Sequence, residues 1–117
     1  MDKVESEVEK KKLINLGRFV VFLKRFEQNP KQYSRVVLQV EIFDSFVRKR
    51  NDHMIYNNEE IVENCDYICE FMAVLTKYDI LGCGEDDTSI WFWFYQPKDN
   101  DKKVILSVTC FKRVIYK

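Results

Sequence analysis

Apolar residues near the start of the chain recur at three- and four-residue spacing, which is typical of one face of an α-helix. The set comprises Leu13, Leu16, Phe19, Val20, Phe22, Leu23 and Phe26. It predicts a helix over residues 5–26, which Asn29-Pro30 ends because the residue before a proline is disfavoured in helical geometry. A second helix is predicted over Tyr33–Arg50. It rests on two adjacent stripes, Val36, Val40, Phe43 and Val47, with Leu38, Ile42 and Phe46 beside them.

The middle of the chain carries further signals of helix ends. His53–Tyr56 is predicted as a short extended piece that could add a strand. Asn57 and Glu60 resemble a capping box and predict a short helix through about Asn64. A third long helix is predicted over about Asp66–Leu81, closed by Gly82 in a left-handed conformation.

Towards the C-terminus the apolar period changes from helical to two. Ser89–Gln96 and Lys103–Cys110 are predicted as the strands of a β-hairpin, joined by the turn-rich segment Pro97–Lys102. A final helical turn is predicted from Thr109 or Cys110 to Tyr116. Three to four helices followed by a hairpin is the order of a winged helix, so the predicted fold class is α+β, a single winged-helix domain over residues 1–117.

The first strand of this hairpin is unusually aromatic. Because successive strand residues face opposite sides, Ile90, Phe92 and Phe94 are predicted to face the core. The other face carries Trp91, Trp93 and Tyr95, with Ile105 on the neighbouring strand. Large apolar patches on soluble proteins usually mark interfaces, so these four residues are the predicted partner interface. Two alternatives are that the chain's own N-terminal helix or C-terminal turn covers this face, and that nucleic-acid bases stack on it.

Composition favours one folded domain: 117 residues, 46% apolar, with nine Phe. The net charge of zero hides a segregation, since residues 1–50 carry +5, residues 51–87 carry −9 and residues 88–117 carry +4. The acidic block covers the helix that would enter the DNA groove in a winged helix. Its carboxylates would repel phosphates, which argues against groove binding. The acids are Glu59, Glu60, Glu63, Asp66, Glu70 and Asp79.

Candidate chemistry is sparse. His53 is the chain's one histidine, and no nucleophile motif or phosphate-binding glycine loop occurs, so an enzyme and a bound cofactor are not expected. Cys65 and Cys69 could share a ligand face with His53, but Cys83 and Cys110 lack a matching zinc spacing, so buried thiols are expected.

A polar N-terminus and short apolar runs predict neither a signal peptide nor a membrane span. The thiols indicate a reducing cytosolic or nuclear compartment, and the apolar periodicity at the C-terminus favours a domain cut from a larger protein.

Three segments carry a family resemblance: Val36–Asn64, Ile68–Asp87 and Lys102–Lys117. They resemble the C-terminal winged-helix domain that follows the AAA+ module in the largest-subunit family of the origin recognition complex. The acidic helix and aromatic wing look most like the yeast silencing paralogue, a silent information regulator protein of heterochromatin. The resemblance implies a self-associating domain of a chromatin-silencing protein in the nucleus, and it implies no nucleotide site.

The leading hypothesis is therefore a homodimerisation domain that pairs through the aromatic face, with other chromatin proteins as further partners. A second hypothesis is a DNA-contacting winged helix of a replication initiator. Its candidate contacts are Arg48, Lys49, Arg50, Lys98, Lys102 and Lys103. A steep loss of duplex affinity with salt would separate the second hypothesis from the first. A third is a module for a different protein partner, which is distinguished by whether the purified chain self-associates.

Overall fold

The computed structural model describes residues 3–97 and 102–113 of the chain. Helix α1 (Lys3–Gln28) is followed by a 3₁₀ turn (Pro30–Gln32) and by strands β1 (Tyr33–Asp44) and β2 (Val47–Asn57). Helices α2 (Asn58–Glu63) and α3 (Cys65–Leu75) lead into strands β3 (Asp79–Glu85), β4 (Ser89–Pro97) and β5 (Lys102–Lys112). The described residues thus form an α+β fold that is rich in strand.

All five strands form one antiparallel sheet in the order β2-β1-β5-β4-β3. The three helices pack on one of its faces and enclose the core. From α1, Phe19 meets Phe92 and Phe94 edge to face, with ring centroids 4.9 and 4.8 Å apart. From α3, the buried residues Ile68, Met72 and Leu75 complete the same core. An antiparallel sheet with helices on one face leaves its other face to solvent or to a partner.

The predicted helix over Tyr33–Arg50 is wrong, because this segment is the hairpin of β1 and β2. Val36, Leu38, Val40 and Ile42 alternate with mainly polar residues, and the structure turns all four towards the helices beside Cys110, Val108, Leu106 and Val104 of β5. The same residues also fit a helical stripe, since a dense apolar run satisfies both periods. β-Branched side chains and the long-range pairing with β5 favour the strand.

The winged-helix prediction is therefore wrong, and two of its other elements also differ. Helix α3 ends at Leu75, six residues earlier than predicted, and Asp79–Glu85 forms an edge strand instead. Gly82 lies within this strand and has no positive φ, so it does not close a helix. The final helical turn is replaced by β5, which continues to Lys112; residues 114–116 lie outside the described residues.

Local signals predicted the remaining elements. Helix α1 and the hairpin of β4 and β5 are confirmed. The capping box is confirmed as well: the Glu60 backbone N–H donates to Asn57 Oδ1 over 2.9 Å, and the Asn57 backbone N–H donates to Glu60 Oε1 over 3.2 Å. Within the residues that the structure describes, no helix has the length and apolar character needed to cross a membrane.

Candidate interaction face

The face of the sheet that the helices leave bare is called the open face here. Register and alternation place on it the odd-numbered residues of β1 from Arg35 onwards, those of β4 and β5, and their partners on β2. Its apolar members are Val37, Phe43, Ile55, Trp91, Trp93, Tyr95, Ile105 and Phe111. Ile55 and Trp93 are the most exposed of these, at 57% and 53%. The face therefore offers a broad apolar surface to solvent.

All four residues of the predicted interface lie together on the open face. Trp93 pairs with Ser107 across the β4–β5 hairpin, and Tyr95 pairs with Ile105. Trp91, Tyr95 and Ile105 are partly buried by their neighbours on the sheet. The described helices lie on the other side, so neither α1 nor a described part of the C-terminal segment covers the indole of Trp93.

Two glycines of β3 lie opposite the two tryptophans. Gly82 pairs with Trp93 and Gly84 with Trp91, after a bulge at Leu81 shifts the register. A Cβ atom at Gly84 would collide with the indole of Trp91, whereas a Cβ at Gly82 would meet nothing within 4 Å. The indole of Trp91 thus rests directly on the backbone of the edge strand, which fixes its position on the open face.

The β1–β2 side of the open face is more polar. The Gln39 amide donates to Asn51 Oδ1 over 2.8 Å and to Glu41 Oε1 over 3.1 Å. At one end, the guanidinium of Arg35 lies 4.1 Å from the ring centroid of Phe111. Sequence reasoning missed Val37, Phe43, Ile55 and Phe111 as part of this face, because β1 was taken as a helix, β2 only in part as a strand and Phe111 as part of a helical turn. On β1, the alternation of Leu38, Val40 and Ile42 with Gln39 and Glu41 was the available signal.

The two edges of the sheet differ in charge. Edge strand β2 carries three basic residues and one acid, Asp52, whereas edge strand β3 carries two acids, Asp79 and Glu85, and no base. Charged residues on an edge strand also discourage uncontrolled strand pairing. The open face is thus bordered by a basic edge on one side and an acidic edge on the other.

The candidate DNA contacts gather at one corner of the sheet, where Phe43 of β1 pairs with both Arg48 and Lys103. Some of their charge is already engaged: Arg48 lies 3.8 Å from Glu41, and Arg50 forms an ion pair with Asp52. The Lys103 ammonium lies 4.5 Å from the Phe46 ring centroid. Lys49 and Lys102 are exposed, and Lys98 lies outside the described residues. DNA contact here stays a prediction.

The acids assigned to a recognition helix do not share one. Asp66 and Glu70 lie on α3, Glu59, Glu60 and Glu63 on α2, and Asp79 on β3. The argument that this helix repels DNA therefore loses its structural basis along with the winged-helix fold.

His53 and the cysteines do not form a common site. His53 is exposed on β2 and pairs with Gln39 on the open face, whereas Cys65 and Cys69 lie on α3 across the sheet. The two α3 sulfurs are 3.9 Å apart, and burial, followed by the proximity of Cys65, raises the pKa of Cys69 to about 12. Burial also raises the pKa of the Cys110 thiol. Among the described residues, no group of three or more His, Cys, Asp or Glu is placed to hold a metal ion.

Comparisons with protein-family models, with curated proteins and with solved structures find no match to this chain. Membership of the origin recognition family stays a prediction, and the winged-helix fold that it implied is not the fold of the chain.

Proposed function

We propose that the chain is a non-catalytic interaction module that pairs with a second copy of itself through the open face. The observation that carries the proposal is the exposed indole of Trp93, set among further aromatic and β-branched side chains on a sheet face that none of the described helices covers. Trp and Tyr are the residues most often found as anchors at the centre of interfaces.

The size of the open face suits a dimer. Five strands spaced about 4.8 Å apart, with a mean length of about ten residues at about 3.3 Å per residue, give about 800 Å². A standard protein interface buries about 800 Å² on each partner. Face-to-face stacking of two copies would therefore use most of this surface.

Charge supports a second copy as the occupant. A two-fold axis parallel to the strands would place edge β2 of one copy over edge β3 of the other, twice in each dimer. Lys49 on β2 and Asp79 on β3 take part in none of the ion pairs among the described residues, so their opposite charges can meet across the dimer. Such complementarity speeds association and fixes orientation. In the same arrangement, the indole N–H groups would approach the amide and carboxylate oxygens of the β1–β2 side, as buried Trp requires.

Sedimentation velocity with matched variants tests the proposal. Wild type is expected to sediment as a dimer, and Trp93→Ser is expected to lose at least about 2 kcal/mol of association free energy, about a thirtyfold weaker Kd. Leu13→Ser is the control, because Leu13 is also exposed, at 68%, but lies on α1 away from the open face. A monomeric wild type at high micromolar concentration overturns the proposal, as does equal weakening by both variants.

The chromatin-silencing role and the nuclear location came from the family resemblance alone. They stay predictions, and the pairing proposed here does not depend on them.

A further inference from the structure

A groove opens on the helix-covered side of the sheet, between α1, the start of β1 and the edge formed by β3 and β4. Its volume is about 760 Å³, within the range of small-molecule sites. The apolar part of its lining comprises Val21, Phe22, Ile90 and Phe92. Since the groove and the open face lie on opposite sides of the sheet, occupation of one does not depend on occupation of the other.

Three cations border this groove, two of them on α1. Arg18 and Arg25 lie seven residues apart on α1, about two helical turns, so both project from the same side of the helix. None of the ion pairs among the described residues involves either of them. The groove's third cation, Lys112, is already engaged: its Nζ lies 2.6 Å from Glu85 Oε2 and donates to the Asp86 carbonyl over 2.8 Å. Lys112 thereby balances Glu85, the one acid among the described residues of the lining, and leaves two positive charges.

A buried phenol adds a neutral donor to the groove. A bulge at Ser34 changes the register of β1, so that Tyr33 turns inwards beside Phe22 and Phe26. Tyr33 is only 6% exposed and belongs to the lining of the groove. A tyrosine hydroxyl is protonated at neutral pH and can donate, and burial raises the pKa of Tyr33 further, to about 12.

From these features we infer that the groove binds a small aromatic molecule carrying one anionic group. The aromatic body packs on Val21, which is 50% exposed, and on the half-buried Ile90, and the anion accepts hydrogen bonds from the Tyr33 hydroxyl and from the guanidinium groups of Arg18 and Arg25. Charge-assisted hydrogen bonds of this kind are about twice as strong as neutral ones. An uncharged molecule of the same shape gains only the apolar contact.

Two fluorescent probes of nearly the same shape test the inference: anilinonaphthalenesulfonate, which is an anion, and phenylnaphthylamine, which is neutral. Titration of the full chain should give one saturable site for the sulfonate. The double variant Arg18→Gln, Arg25→Gln should weaken sulfonate binding at least about tenfold and leave the neutral probe unchanged, because only the charge-assisted bonds are lost. Tyr33→Phe keeps the ring and should weaken the sulfonate by a smaller factor.

Arg35→Gln is the matched control, since Arg35 also lies beside an aromatic ring but on the open face. It should leave sulfonate binding unchanged. Urea unfolding of each variant checks that the exposed substitutions leave the fold intact. The inference is overturned if the double arginine variant binds the sulfonate as tightly as wild type does. It is also overturned if Trp93→Ser, rather than the arginine variant, loses sulfonate binding. The absence of saturable binding overturns it too.

Discussion

Trp91 owes its position to the glycine across from it. The residue pair Gly84–Trp91 lets the indole lie on the edge strand, whereas Gly82, which pairs with Trp93, has no side chain within 4 Å of the position of a Cβ. The sequence contains a Gly-x-Gly spacing at Gly82 and Gly84 and a Trp-x-Trp spacing at Trp91 and Trp93, and the sheet places the two spacings opposite each other. This match was not recognised, because Gly82 was assigned to the end of a helix and the partner strand was therefore missing.

A methyl group at Gly84 should displace the indole of Trp91. Gly84→Ala is expected to lower the free energy of unfolding by about 1 to 3 kcal/mol, the usual cost of overpacking. Gly82→Ala is the control and should cost less than about 0.5 kcal/mol, since a Cβ there meets nothing within 4 Å. Chemical denaturation measures both, and equal effects of the two substitutions would contradict the packing described.

Buried groups that ionise at high pH make a second residue-scale prediction. Burial raises the pKa of the Cys110 thiol and raises the pKa of Tyr33 to about 12. For each group, the pKa in the folded state lies above the pKa in the unfolded state. The group's contribution to the free energy of unfolding is therefore complete at pH values below the unfolded pKa, and it is lost as the pH rises towards the folded pKa. The free energy of unfolding should therefore fall above about pH 9, by up to about 1.4 kcal/mol per pH unit for each group.

Urea denaturation between about pH 8 and about pH 11 measures this slope. Cys110→Ala should make it shallower by the contribution of one group. Val108→Ala removes a buried side chain from the same face of β5 and should lower stability at every pH without changing the slope. An alkaline slope that is the same in wild type and in Cys110→Ala would refute the account of the thiol.

At the scale of elements, the hairpin of β1 and β2 was the main failure of prediction. Its turn consists of Ser45 and Phe46, both with positive φ, 49° and 71°. Two-residue hairpin turns of this kind usually contain Asn-Gly or Asp-Gly, and that pair is the strongest local hairpin signal. Without it, nothing local interrupted the apolar run. By contrast, α2 and the β4–β5 hairpin were predicted because the Asn57–Glu60 capping box and the turn-rich segment Pro97–Lys102 are local signals.

The turn therefore carries strain that substitution can relieve. Ser45→Asn together with Phe46→Gly should raise the free energy of unfolding by about 1 kcal/mol, since left-handed backbone costs non-glycine residues about 1 to 2 kcal/mol each. Loss of the Lys103–Phe46 contact offsets part of this gain. Ser45→Val should act in the opposite direction, because β-branched residues tolerate positive φ poorly. Thermal or chemical unfolding distinguishes the signs; a stabilising Ser45→Val would contradict the turn geometry.

At the scale of the whole molecule, the sequence predicted which residues of the hairpin turn inwards and outwards, but not the sheet to which the hairpin belongs. Strand β5 pairs with β1, about seventy residues away in the chain, and such pairing depends on contacts that no local pattern encodes. The sheet extends the predicted four-residue patch to a five-stranded surface. Whether this surface pairs with a second copy is the central question about the molecule.

The chain's two tryptophans both lie on the open face, so their fluorescence tests the pairing directly. In Trp91→Phe, Trp93 alone emits, and it is 53% exposed in the single chain. At high protein concentration, we expect the emission maximum of Trp93 to lie at the short wavelengths of a buried indole. On dilution, we expect it to move to longer wavelengths, and the midpoint of this change should coincide with the midpoint of dimer dissociation. An emission maximum of a water-exposed indole that is the same at all concentrations would contradict the pairing.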